Sequence, residues 1–299
     1  MPRSPFQRVV WVVAALAAVA CEAPARDERS AALPVDDFGA AVDTTAAPAA
    51  RIVSLIPATT EILFAIGAGE RVVGRSEWDQ WPAEARAVTA VGPGLRPNVE
   101  AVLARRPDLV VLYGSEDNRA AAGRLEAAGV RVVALKIDRI AHVDRALRLL
   151  GALSGQSASG DSIARALATT LDSVRSATDS LPRPRVFWHI WRQPLITIGA
   201  GSYMHELLEI AGAENVYADL AAVSPPVNLE DVVRRDPDIV LSGPNNAADV
   251  RNDPRWQALR AVREGRIVVV DTILVGRPSV MLGAAAAHLA ERLHQPPPQ

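Results

Sequence analysis

Two carboxylates occupy matching places in two near-copies of one phrase. Glu100 lies in NVEAVLARRPDLVV (98–111) and Glu230 in NLEDVVRRDPDIVL (228–241). An asparagine, Asn98 or Asn228, stands two residues earlier and can cap a helix. Each glutamate therefore falls in a first helical turn, where the dipole favours a carboxylate by ~0.3–1 kcal/mol. Alone, either would be a surface group of no further meaning; the repetition sets them apart. The other chemistry-bearing residues are aromatic. They form only 4% of the chain, yet they fall at loop ends: Trp78 and Trp81 in SEWDQWP, Tyr113 closing DLVVLY, Trp188 and Trp191 in FWHIWRQP, Tyr203 in GAGSYMHE. Flat rings suit a large macrocycle by stacking and area burial, although any one tryptophan can equally pack in a core. Anionic ligands would need converging cations, for which Arg75, Arg96, Arg192 and Arg277 are available.

Covalent chemistry has little to work with. HELLE (205–209) has Glu209 where a zinc helix needs its second histidine. The five histidines, His142, His189, His205, His288 and His294, show no ligand spacing, and only His189 is placed to touch a metal chelate. GAG (199–201) lacks the third glycine of a dinucleotide fingerprint, and there is no Walker loop and no G-x-S-x-G elbow. A chelatase or cluster enzyme on a similar scaffold would need Cys or His ligands beyond the leader, and the one cysteine is Cys21. The chain is expected to be a binding protein, not an enzyme, with no cofactor of its own.

The elements that must position these groups repeat as well. From Arg51, short β-branched runs (RIVSL, RVVGRS, DLVVLY) alternate with helical patterns, which predicts mostly parallel sheets with helices on both faces. TEILFAIGAGERV (60–72) matches HELLEIAGAENVY (205–217), with Glu61 over Glu206 and Gly67 over Gly212, and GVRVVAL (129–135) matches GRIVVVD (265–271). The fold class is therefore α/β: two similar lobes, 51–139 and 182–295, each with a mostly parallel central sheet. Residues 140–181 form a helical connector. Within it a helix from near Ser162 to before Pro182, capped by Ser159 or Asp161, covers about 20 residues or roughly 30 Å, enough to bridge two lobes. Ligands of α/β lobes bind beyond the carboxyl ends of strands, where Trp78, Tyr113 and Trp191 should stand. Asp271 and Arg277, past the last strand, complete the expected ligand set with Trp81 and Trp188.

The chain has 299 residues, 49% hydrophobic and 22% charged, with net charge −2 and scattered arginines. It can bury a large core, and it lacks the footprint of a nucleic-acid or polybasic membrane surface. Arg3 and Arg8 precede an apolar run, Val9 to Ala20, that ends in small residues. This reads as an export signal, residues 1–21. LAAVAC resembles a lipobox with Ala18 in the usual leucine place, so Cys21 is expected to carry lipid and to supply the only membrane contact. Residues 22–50, rich in Ala, Pro and Asp, read as a disordered tether.

RIVSLIPATTEILFAIGAGERVVGRSEWDQWP, the paired NVEAVLARRPDLVV phrase and the helical connector together resemble periplasmic substrate-binding proteins of ABC importers. The resemblance is to the class joined by one long backbone helix, which serves vitamin B12, ferric siderophores and haem. It covers Arg51 to about Leu293 and is nearest to the B12-binding branch. It implies a monomeric, exported, two-lobed receptor with the ligand in the cleft and little movement on closure. It also implies that Glu100 and Glu230 dock into arginine pockets of a permease that works with an ATPase. Trp78 and Tyr113 match aromatic cleft positions of that branch. A corrinoid is the expected ligand; two other aromatics of the branch are missing here, near Gly94 and Ser224, which leaves a ferric siderophore or haem as the alternative.

Overall fold

The computed structural model describes residues 33–295. The expected export signal, Cys21 and the first part of the expected tether lie outside the described residues. The first lobe runs β1 (Ile52–Ser54), α1 (Pro57–Ala65), β2 (Val72–Arg75), α2 (Val99–Leu103), β3 (Leu109–Tyr113), α3 (Glu116–Ala127) and β4 (Arg131–Leu135). Two helices follow, α4 (Ile140–Leu153) and α5 (Ser157–Thr178). The second lobe begins β5 (Arg185–His189), α6 (Tyr203–Ile210), β6 (Glu214–Asn215), α7 (Leu229–Arg235), β7 (Ile239–Ser242) and α8 (Pro244–Asn252). It ends with α9 (Arg260–Arg263), β8 (Ile267–Val269), α10 (Thr272–Val275) and α11 (Leu282–His294).

The duplication in the sequence is a duplication in space. One sheet has the order β2-β1-β3-β4 and the other β6-β5-β7-β8, with every pair parallel. Central strands such as β3, LVVLY, are apolar without alternation because helices cover both faces. The matched glycines end matched helices. Gly67 follows α1 with φ +86° and Gly212 follows α6 with φ +74°, the left-handed conformation that glycine adopts without cost. The asparagines cap as their spacing requires: Asn98 accepts from the Ala101 N–H at 3.0 Å and Asn228 from the Asp231 N–H at 2.8 Å.

Each lobe has an apolar cluster of its own, and a third is shared between them. A continuous apolar cluster runs from Ile52 and Leu109 through Leu147, Leu167 and Leu171 to Val186, Leu207 and Leu289. Helix α5 packs one face along it, against α4 on one side and α6 and α11 on the other. At 22 residues it spans about 33 Å. It starts at Ser157, earlier than the sequence implies, so Ser159 and Asp161 lie inside it. Gly155, at φ +72°, turns the chain straight from α4 into α5, and Asp161 pairs with Arg148 of α4 at 2.8 Å instead of capping. A Cβ on Gly160 would stand 2.5 Å from the Leu147 carbonyl oxygen, so the two helices cross at backbone contact.

Residues 33–50 do not form a tether. They make a strap along β4, the edge of the first sheet. The Asp37 N–H donates to the Ala134 oxygen at 2.9 Å, and Asp36 accepts from the N–H groups of Phe38, Ala40 and Ala134. Asp37 also takes the Lys136 N–H and pairs with Arg145. Val42 and Ala49 are buried in the shared core. The strap thus covers an edge that would otherwise offer unpaired backbone groups. Asp36→Ala is expected to lower stability by about 2–3 kcal/mol in urea denaturation, because three N–H groups lose a charged acceptor. A loose tether would give no change.

Candidate functional site

A cleft of about 470 Å³ opens between the lobes beyond the carboxyl ends of the strands. The first lobe contributes the start of α1 (Ile56–Ala58), Trp78, Tyr113 and Asp138; the second contributes Ile190, Ser202–Met204, Ser224 and Gly276–Pro278. A larger hollow, about 580 Å³, runs along α5 beside Ile140, Leu167 and Ile210. It has none of the aromatic groups and does not lie at the strand ends, so the cleft is the candidate site.

Buried or half-buried acids hold the groups that face the cleft. Trp78 is 68% exposed at the cleft mouth, on a loop tied down from beneath. Asp79, fully buried, takes the hydroxyls of Thr60 and Ser76. Its burial raises its pKa against those hydrogen bonds. The Tyr113 hydroxyl donates to Asp138 at 2.8 Å. Burial, then the hydrogen bond to Asp138 and its charge, raise that phenol well above its ordinary value, so it remains a donor. The Arg277 guanidinium lies 5.4 Å over the Trp81 ring, a cation–π distance. Its Nε donates at 3.0 Å to Glu61 of the opposite lobe, which also accepts from the Ser279 hydroxyl at 2.6 Å.

A matching contact runs the other way. Glu206, on α6 of the second lobe, takes Arg139 Nε at 2.6 Å and the Ile140 N–H at 2.7 Å. Arg139 further donates to the Ala200 oxygen at 2.8 Å, and the Tyr203 N–H donates to the Asp138 oxygen at 2.6 Å. The floor of the cleft is thus a hydrogen-bonded seam between lobes.

Other expected site residues lie elsewhere. Trp188 is 2% exposed and belongs to the shared core, on the face of β5 opposite Phe187 and His189, so it does not reach the cleft. Asp271 caps α10, accepting from the Ile273 N–H at 2.8 Å, and Trp191 points outward with its indole N–H on the Gln193 oxygen at 3.1 Å. Neither lines the cleft. His189 packs beside Phe187 and Trp256 on the far face of the sheet. Burial pulls its pKa down to about 4. Arg75 is buried and spends its guanidinium on the Ala85 and Ser76 oxygens. Arg96 and Arg192 form exposed pairs with Asp117 and Asp249. Of the four arginines considered, only Arg277 reaches the cleft. Glu61, Asp79 and Asp138 carry no sequence signal of a site; the alignment of Glu61 with Glu206 is the single hint.

Glu100 and Glu230 are both exposed, near the cleft end of their lobes. A helix crossing between parallel strands runs opposite to them, so the N-termini of α2 and α7 lie at the carboxyl ends of the sheets. Glu100 pairs with Arg124 at 2.5 Å, and a hydrogen bond from its own backbone together with that arginine lowers its pKa. Glu230 has no ion pair among the described residues. No group of three or more His, Cys, Asp or Glu residues among them is arranged to hold a metal ion, and no described helix is long and apolar enough to cross a membrane.

Two similar parallel-sheet lobes around an aromatic cleft, bridged by a long helix, define a substrate-binding protein of the two-lobed α/β class. The chain belongs to the periplasmic binding protein family, whose model matches residues 52–274. It is therefore a binding protein and not an enzyme. It is 28% identical over 247 residues to the vitamin B12-binding protein of Salmonella typhimurium, covering 83% of this chain and 91% of that one. An uncharacterized ABC transporter substrate-binding lipoprotein of Bacillus subtilis, YvrC, is 28% identical over 304 residues, covering 95% of this chain and 96% of that one. The crystal structure of the periplasmic vitamin B12 binding protein BtuF of Vibrio cholerae superposes with a TM-score of 0.74 at 24% identity, covering 82% of this chain and 97% of that one.

The two tryptophan environments make opposite predictions. Trp78→Ala is expected to weaken ligand binding by about 10–100-fold with little change in folding, since an exposed aromatic platform is lost. Trp188→Ala is expected to cost about 3–5 kcal/mol of stability by leaving a core cavity. Ligand titration and urea denaturation of both variants separate these roles, and a fall in stability for Trp78→Ala would contradict them.

Proposed function

We propose that this protein captures a corrinoid between its lobes and delivers it to an ABC permease and its ATPase. The observation that carries the choice of ligand is the charge of the cleft. Arg277 is the one cation among the described lining residues, and Glu61 already neutralises it. Polyanionic ferric siderophores, and haem with its carboxylates, favour sites where unpaired cations converge. A corrinoid presents apolar ring edges and uncharged amides, which suit Trp78, Tyr113, Ile56, Met204 and neutralised donors. The B12-binding relatives support the same reading.

Delivery is assigned to Glu100 and Glu230, one on each lobe at the cleft end, where carboxylates can take bidentate bonds from permease arginines. Export through residues 1–21 and a lipid on Cys21 would hold the receptor near that permease, and the lipoprotein relative supports this arrangement. The receptor is expected to act as a monomer.

Titrating the purified protein with cyanocobalamin, haem and ferric hydroxamate, followed by tryptophan fluorescence, tests the ligand assignment. The corrinoid is expected to bind tightest and to be recovered unchanged. Exclusive binding of haem or the hydroxamate would overturn the assignment. In the same system, Glu100→Ala with Glu230→Ala is expected to leave corrinoid affinity intact while uptake collapses. Normal uptake by that double variant would remove both residues from docking.

A further inference from the structure

Glu61 is 3% exposed and sits on α1 of the first lobe, yet its side-chain partners are both in the second: Arg277 Nε and Ser279 Oγ. That carboxylate leaves the guanidinium in an unusual condition. Its charge is balanced by a buried acid, while neither Nη atom has a hydrogen-bond partner among the described residues. Because Arg277 lines the cleft, the site offers strong N–H donors without a net positive charge. Such donors suit uncharged oxygen acceptors, such as amide carbonyls, better than carboxylates, which need the unbalanced charge as well. The repeat-equivalent Glu206 does not have this effect. It holds Arg139, which donates again to the Ala200 oxygen and is not part of the cleft wall.

We propose that Glu61 is a specificity-determining residue: by neutralising Arg277 from the opposite lobe, it makes the cleft select uncharged, amide-bearing chelates over anionic ones. The inference rests on the receptor reading above and adds the group that discriminates among its ligands. Removing the charge of Glu61 while keeping its shape should leave Arg277 as a free cation, and the preference should move toward anions.

The test compares the wild-type chain, Glu61→Gln and the double variant Glu61→Gln with Arg277→Gln. The probes are cyanocobalamin and haemin, the second carrying two carboxylates, each at low and high salt. Glu61→Gln is expected to shift the affinity ratio toward haemin by about tenfold, with the shift shrinking as salt screens the exposed charge. The double variant removes the pair as a whole and leaves no unpaired buried charge, so it is the variant that keeps the fold. It is expected to abolish the shift and to lose about tenfold in cyanocobalamin affinity with the Nη donors. An unchanged ratio in a folded Glu61→Gln variant would overturn the proposal, as would a double variant with wild-type cyanocobalamin affinity. If the wild-type protein binds neither probe, the receptor reading fails, and this inference with it.

Discussion

A carboxylate from each lobe reaches across the cleft floor to the other lobe, and the arrangement of the site depends on that exchange. Glu61 holds Arg277 and Ser279; Glu206 holds Arg139 and the first N–H of α4. Burying a charge is costly unless it is paired and its remaining hydrogen-bonding capacity is filled. Both glutamates meet that condition only when the lobes sit in register. Misplacing one lobe would strand Glu61 in a nearly dry environment, so the seam specifies orientation as well as adding attraction. The shared core and α5 act in the same direction, because each lobe closes one face of its sheet with its own residues and the other face against the core that both lobes build. Such a joint permits small rotations and resists the wide opening of hinged receptors.

Two of the cleft-facing groups take their positions from this seam, and the third is fixed within its own lobe. Tyr113 is aimed by Asp138, whose backbone oxygen takes the Tyr203 N–H from the other lobe. Arg277 is aimed by Glu61, and the Trp78 loop is pinned by Asp79. In each case a buried or half-buried acid accepts side-chain hydrogen bonds from within the protein. The cleft therefore offers aromatic area, a guanidinium balanced by Glu61, and no converging cations among the described lining residues. The carboxylates proposed for docking follow the opposite rule. Glu100 and Glu230 stay exposed at helix starts, where a partner can reach them.

Much of the fold was legible because it is written twice. A single strand–helix alternation predicts an α/β layer, whereas the repeated Asn-x-Glu and Gly-Ala phrases predict two lobes of one topology, and the strand orders agree. The failures share a physical origin. The strap at residues 33–50 is held by backbone pairing and two aspartates, so it has no apolar periodicity to read. In FWH of β5 both faces are covered, so alternation could not tell Trp188 in the core from a residue facing the cleft. Asp271 lies beside the strand end, but its oxygens are consumed in capping α10. Glu61 and Arg277 are 216 residues apart, and no local pattern announces their pairing.

The central claim is that one ligand is held by both lobes at once across a preassembled floor. Hydrogen exchange of backbone amides, with and without saturating cyanocobalamin, tests it most directly. Peptides spanning Trp78 and Tyr113 in the first lobe and Ser202–Met204 in the second should all slow together. Protection confined to one lobe, or none in either, would contradict the account.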